Sequence, residues 1–209
     1  MSVQKAYDSW SQQYDTNENK TRDLEALGLQ ETLASIVFDN CLEIGCGTGK
    51  NTAWLITKAA SITAVDLSTE MLARAKQKIN SNQVQFIQAD ILKDWDFIDK
   101  KYDLVSFSLV LEHIENLEPI FKKVSKIIAP GGYVYIGELH PFKQYSGSKA
   151  KFITDEGEQI VSCFNHNISD FVKAAKQFGF SIVNMDEYFD ENNRAAIPRI
   201  LTMLLRSGD

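Results

Sequence analysis

Cysteine is scarce in this chain. Cys41, Cys46 and Cys163 are the only three among 209 residues, an odd set with no Cys-x-x-Cys pair. Such a set makes neither a disulfide framework nor a zinc knuckle, and it suits reduced thiols in a reducing compartment. Positive charge is also short: 22 Lys and Arg stand against 28 Asp and Glu, a net charge of -6. No dense basic run offsets this, so the field has the wrong sign for a protein whose main work is gripping a phosphate backbone. No apolar run approaches the roughly 20 residues that span a bilayer. The opening MSVQKAYDSW lacks the basic-then-apolar order of a secretory leader. Internal repeats and low-complexity tracts are absent as well. These absences predict a cytoplasmic protein with neither nucleic acid nor membrane as partner.

What is present is an alternation of short β-like and helix-like runs. The length suits one domain over 1–209 with a sizeable core. Val3, Tyr7, Trp10 and Tyr14 recur at helical spacing over 3–14. Leu24, Leu27, Leu33 and Ile36 do so over 22–36. These two helices form an expected N-terminal cap (1–36). Strands are then predicted at 40–45, 61–66, 83–88, 102–108 and 133–138, with helices at 49–60, 69–80 and 116–128 between them. Several of these strand runs are almost continuously apolar, as expected of strands covered on both faces. Residues 139–168 break the pattern and read as a small insertion after the fifth strand. Within it, KFIT and QIVSCF flank Asp155-Glu156-Gly157-Glu158, a hairpin signal. A helix at 169–178 precedes two closing strands, 180–189 and 199–206, with no room for a helix between them; they are expected to pair antiparallel. The predicted fold is α/β: a Rossmann-like, doubly wound, seven-stranded, mostly parallel sheet with an antiparallel closing strand.

The chemistry-bearing residues fall at the C-terminal ends of these strands, where open α/β sheets bind ligands. Glu43-Ile44-Gly45-Cys46-Gly47-Thr48-Gly49 joins a strand to a helix. It is no phosphate loop, because position 44 is Ile and position 51 is Asn. It is no dinucleotide fingerprint either, because the third glycine arrives one residue early. Asp66 ends the second strand, where a carboxylate can accept from two vicinal hydroxyls, as on a ribose. Leu67 and Met71 follow, with apolar surface to flank a purine. Asp90 and Ile91 follow the third strand, an acceptor for an exocyclic amine and an apolar neighbour for the ring. Ser108 and Leu109 lie where the fourth strand opens, with His113 just beyond.

Glu43-x-Gly45-x-Gly47-x-Gly49 resembles the first motif of class I S-adenosylmethionine-dependent methyltransferases of the small-molecule type. The resemblance runs over about 40–140 and includes Asp66, Asp90, Ser108 through Ile114 and the Pro130-Gly131-Gly132 turn. It implies S-adenosyl-L-methionine as cofactor, S-adenosyl-L-homocysteine as product, and a glycine turn, with Cys46 in it, packed against the methionine part. Ala6-Tyr7-Asp8-x-Trp10-x-x-x-Tyr14-Asp15 resembles the lid helix of such enzymes and implies that Tyr14 and Arg22 contact the cofactor.

In-line displacement at a sulfonium methyl needs alignment and exclusion of water, and at most a base for the acceptor's proton. His113, Glu138, His140 and His166 are the candidates for that base. Glu138, His140 and His166 also have metal-ligand chemistry, but no motif demands an ion and none is expected. A small-molecule acceptor is expected, with the protein acting as a monomer or homodimer. Three rivals remain: a non-catalytic module that binds the cofactor, a dinucleotide-dependent oxidoreductase, and a macromolecule methyltransferase acting on protein.

Overall fold

The computed structural model describes residues 2–154 and 157–208. Two helices lead: α1 (Val3–Tyr14) and α2 (Lys20–Leu33). The alternation follows as β1 (Asn40–Ile44), α3 (Lys50–Leu55), β2 (Ser61–Asp66), α4 (Thr69–Lys78), β3 (Val84–Gln88), β4 (Tyr102–Ser108), α5 (Glu118–Ile127) and β5 (Ile128–Leu139). Then come α6 (Pro141–Tyr145), the hairpin β6 (Lys151–Thr154) and β7 (Gly157–Ile160), α7 (Ile168–Gln177), β8 (Phe180–Tyr188) and β9 (Ile200–Ser207).

Seven strands form one sheet in the order β3-β2-β1-β4-β5-β9-β8, and β6-β7 stand apart as a two-stranded sheet. Pairing is parallel from β3 to β5, whereas β9 runs antiparallel to both β5 and β8. The strand order reverses between β1 and β4, and that switch point opens a crevice at their C-terminal ends.

Period-2 alternation splits the strand residues between two cores. Leu42, Ile44, Val105, Phe107 and Ile136 pack with Phe121 and Val124 of α5 and Phe171 of α7. Cys41, Leu104 and Tyr135 face the other way, onto Leu29 and Leu33 of α2, Leu55 of α3 and Leu72 of α4. Both faces are therefore covered, which is why the strands read as continuous apolar runs. A third cluster joins Ala6 and Trp10 of α1 to Met71, Phe152 and Val161.

Several boundaries move from their expected places. α2 starts at Lys20, not 22, because Asn19 caps it by accepting the Arg22 N–H at 3.1 Å. α3 stops at Leu55, five residues early, in a run of turns through Ala59. β5 begins at Ile128, paired to Tyr102; the Pro-Gly-Gly segment then bulges before pairing resumes at Tyr133 with Leu104. The second arm of the hairpin is Gly157–Ile160 rather than the longer QIVSCF run; Asp155 and Glu156 of its expected turn lie outside the described residues. Among the described residues no helix is long and apolar enough to cross a membrane.

Candidate functional site

The glycine turn has its shape for steric reasons. Gly45 has φ +75°, and a Cβ there would lie 2.0 Å from Val110 Cγ2. No side chain fits between β1 and the loop after β4. The N–H groups of Gly45 and Cys46 both donate to the Val65 carbonyl (2.7 and 3.0 Å), tying the turn to β2. Behind it, Glu43 is buried and accepts the Thr52 hydroxyl at 2.6 Å. Burial lifts its carboxyl to about 8, against the pull of that hydrogen bond.

Asp66 faces the turn. Its two oxygens accept the N–H groups of Gly47 and Ser68, both at 2.8 Å. Burial raises its carboxyl to about 6, and those N–H donors oppose the rise. A carboxylate oxygen has two acceptor sites, so each keeps one for a ligand hydroxyl. Asp90 is oriented in the same way, its Oδ1 taking the Leu92 N–H at 3.0 Å.

A crevice of about 800 Å³, counted to its mouth, runs between these groups. Gly45 and Gly47 line it from the turn after β1, Asp66 and Leu67 from the end of β2, Met71 from α4, and Asp90 and Ile91 from the loop after β3. Ser108, Leu109 and His113 close the β4 side, and Tyr14 and Tyr7 the α1 side. Arg22, Glu43 and Cys46 line a smaller recess under the glycine turn, which shares Tyr14, Gly45, Gly47, Ser108 and Leu109 with the crevice. All the residues expected to contact a cofactor thus come to one continuous hollow. Its donor set suits an adenosyl amino acid: a carboxylate with spare acceptor sites, apolar flanks at Leu67, Met71 and Ile91, and a guanidinium at the recess. Arg22 is held there by the Tyr14 and Asn17 carbonyls, with its guanidinium carbon 4.5 Å from the Tyr14 ring centroid.

The loop after β4 is strained. Leu109 has φ +56°, a left-handed conformation that costs a leucine about 1–2 kcal/mol. Two contacts hold it: its N–H donates to the Gly137 carbonyl at 2.8 Å, and Glu138 gathers the N–H groups that follow. Glu138 Oε1 accepts from Val110 (2.9 Å) and Leu111 (2.7 Å), and Oε2 from Glu112 (3.3 Å).

Only one of the four candidate bases lines the crevice, and that is His113. Glu138 is spent on the loop. His140 is wholly buried and caps α6: Nδ1 accepts the Phe142 N–H at 3.1 Å, so Nε2 carries the proton and donates to Glu187 at 3.0 Å. His166 is buried and donates from Nε2 to the Ile114 carbonyl at 2.7 Å. Glu138, His140 and His166 therefore do not line the crevice, and each side chain has a backbone partner to satisfy.

His113 differs. Nδ1 lies 2.8 Å from the Ser162 carbonyl, which can only accept, so the proton sits on Nδ1. Nε2 is left with a lone pair, and the Tyr7 hydroxyl donates to it at 2.8 Å. Burial lowers the imidazole's titration, while the Ser162 carbonyl pulls the other way. Glu112, His113 and Cys163 also offer three ligand-type atoms within 4.8 Å of one another, but both imidazole nitrogens already have partners.

Tyr7 and Glu25 are the functional-looking residues that sequence reasoning passed over. Tyr7 shares a helix face with Tyr14, seven positions on. Glu25 follows Arg22 by three, a spacing that puts both on one side of α2.

Comparison with known proteins accords with this geometry. A family described as "Methyltransferase domain" matches residues 42–136. An uncharacterised methyltransferase of Emericella nidulans is 26% identical over 223 residues, covering 87% of this chain and 76% of that protein. A malonyl-[acyl-carrier protein] O-methyltransferase of Priestia megaterium is 33% identical over 127 residues, covering 60% of this chain; the chain spans only 41% of that enzyme's length. Among solved structures, the DhpI–SAH complex superposes with a TM-score of 0.77 at 24% identity, covering 99% of this chain and 96% of that one.

Proposed function

We propose that this chain is a class I S-adenosylmethionine-dependent methyltransferase that passes the cofactor's methyl group to a small molecule whose attacking atom carries a proton. When bound, the cofactor supplies an electrophilic methyl on a sulfonium that leaves as a neutral thioether. Asp66 would hold the ribose, Asp90 the adenine amine, and Leu67, Met71 and Ile91 the faces of the ring.

The observation that carries the catalytic part is the Ser162–His113–Tyr7 chain opening on the same crevice. His113 Nε2 is the acceptor nitrogen, and burial keeps the ring neutral at physiological pH. Tyr7 Oη would take up the acceptor's proton as the acceptor attacks. The Tyr7 proton moves in turn to His113 Nε2. Glu138 is a positioning residue, since it shapes the loop that presents His113. α1 covers the crevice with Tyr7 and Tyr14 and is backed by Phe152 stacked on Trp10, which favours a small acceptor over a polymer. No Lys or Arg lines the crevice among the described residues. A carboxylate acceptor would lack a counter-charge there, so a phenol, thiol or amine fits better.

Calorimetry with S-adenosylhomocysteine should give binding in the micromolar range. Isotope-labelled methyl from S-adenosylmethionine should appear in the small-molecule filtrate of a cell extract. Binding of nicotinamide dinucleotides instead, or label confined to protein and nucleic acid, overturns the reading.

A further inference from the structure

The recess under the glycine turn holds an acid with no evident work. Glu25 of α2 is only 2% exposed. Its Oε2 accepts from Asn51 Nδ2 at 2.9 Å, and its Oε1 from the Tyr135 hydroxyl at 3.1 Å. Gly137 of β5 makes room for it, because a Cβ there would stand 2.5 Å from Glu25 Oε1. Burying a carboxyl at this place is costly, and the fold gives up a side chain on β5 to allow it.

Among the described residues no ion pair neutralises this acid. Lys50, whose charge is felt at Glu25, is paired with Asp23. Glu43 faces the same recess from β1 as a second buried carboxyl. Among the described residues neither acid has an ion-pair partner. Burial lifts Glu25 to about 7, although Asn51, Ser108 and Tyr135 hydrogen bonds and Lys50 oppose the rise. Three residues before Glu25, Arg22 turns its guanidinium to the same recess. One face of α2 therefore offers a cation and an acid side by side, the complement of a zwitterion.

We propose that Glu25 receives the α-ammonium of the cofactor's amino-acid tail while Arg22 faces the α-carboxylate. The inference rests on the methyltransferase reading. An ammonium against Glu25 supplies the charge partner that the interior lacks, and a charge-assisted hydrogen bond of this kind is stronger than a neutral one. Binding then has a protonic signature. Glu25 is surrounded by Asn51 and Lys50 of α3, Glu43 of β1, Ser108 of β4, Tyr135 of β5, Arg22 of α2 and Tyr14 of α1. The incoming ammonium favours the ionised acid, so at pH 6 the protein releases a proton on binding and at pH 8 it does not.

The test is calorimetry of wild type and Glu25→Gln with two probes, in buffers of different ionisation heat. S-adenosylhomocysteine carries the amino-acid tail; 5′-methylthioadenosine keeps the nucleoside and lacks it. The expected result is an S-adenosylhomocysteine affinity about 10- to 100-fold weaker in the variant. Methylthioadenosine affinity stays unchanged, and the pH 6 proton release disappears. Affinity for S-adenosylhomocysteine within about twofold of wild type, or equal losses for both probes, overturns the proposal. Should the variant not fold, wild type decides by the difference between the probes: proton release at pH 6 with S-adenosylhomocysteine but not with methylthioadenosine supports the role, and equal release with both, or none, refutes it. Failure of wild type to bind either probe would instead remove the methyltransferase reading itself.

Discussion

The two ends of the crevice are built on different plans. At the end marked by Asp66 and Asp90, both carboxylates stand at or just past the tip of a parallel strand, and each is aimed by backbone N–H groups a few residues away or across one turn. At the other end, Tyr7 meets His113 across 106 residues of chain, and Trp10 stacks on Phe152 at 5.2 Å. There the parts come from α1, the loop after β4 and the hairpin, and side chains hold side chains. The first plan makes a rigid holder for an invariant group. The second lets specificity change by altering loops while the sheet is kept.

Three substitutions sharpen that contrast. His113→Gln keeps a hydrogen-bonding side chain and removes the base; turnover should fall by about 10²- to 10⁴-fold, with S-adenosylhomocysteine affinity little changed. Because burial holds the His113 titration below the usual histidine value, the wild-type rate should climb with pH only on the acid side of about 6.5 and then level off. The variant should lose that limb, and steady-state rates across pH read both effects. A variant that keeps full turnover would shift the chemistry away from this end. Asp66→Ala should act at the opposite end, weakening S-adenosylhomocysteine by about 100-fold through the loss of two charge-assisted hydrogen bonds. Unchanged affinity in calorimetry would erase the ribose assignment. His140→Ala should touch neither end. It loses the α6 cap and the bond to Glu187, so about 1–2 kcal/mol of stability in urea unfolding at pH 7. The His140 titration is lowered by burial, with Glu187 opposing. The unfolded chain therefore takes up the proton first, and the wild type's advantage should shrink as pH falls below about 6.5. A selective loss of turnover at unchanged stability would return His140 to the reaction.

The same contrast explains what could be read from the amino-acid order. Strand tips with Gly45, Asp66 and Asp90 are local events: a short apolar run, then a turn residue, then a helix. The cap of α4 is local in the same way: the Ser68 hydroxyl accepts the Met71 N–H at 3.1 Å. Glu138, His140 and His166 looked like a reactive group because their partners are backbone atoms, which no side-chain pattern reveals. The Leu111 and Val110 N–H groups that occupy Glu138 carry no signature in the sequence. Tyr7 was in view as part of a helical stripe, but its partner 106 residues on was not. Glu25 was hidden by its type, since a Glu in a helix is ordinarily solvated; only packing against Gly137 and Tyr135 makes it special.

One more consequence follows from how α1 is fastened. Asp8 accepts the Ser68 hydroxyl at 2.5 Å, Asp15 joins Thr48 at 2.6 Å and Lys78 at 2.7 Å, and Tyr7 rests on His113. The helix lies along the hollow like a hasp. Under the relay proposed above, any swing of α1 that widened the mouth would also draw Tyr7 off the imidazole, so an open molecule would hold no assembled proton path.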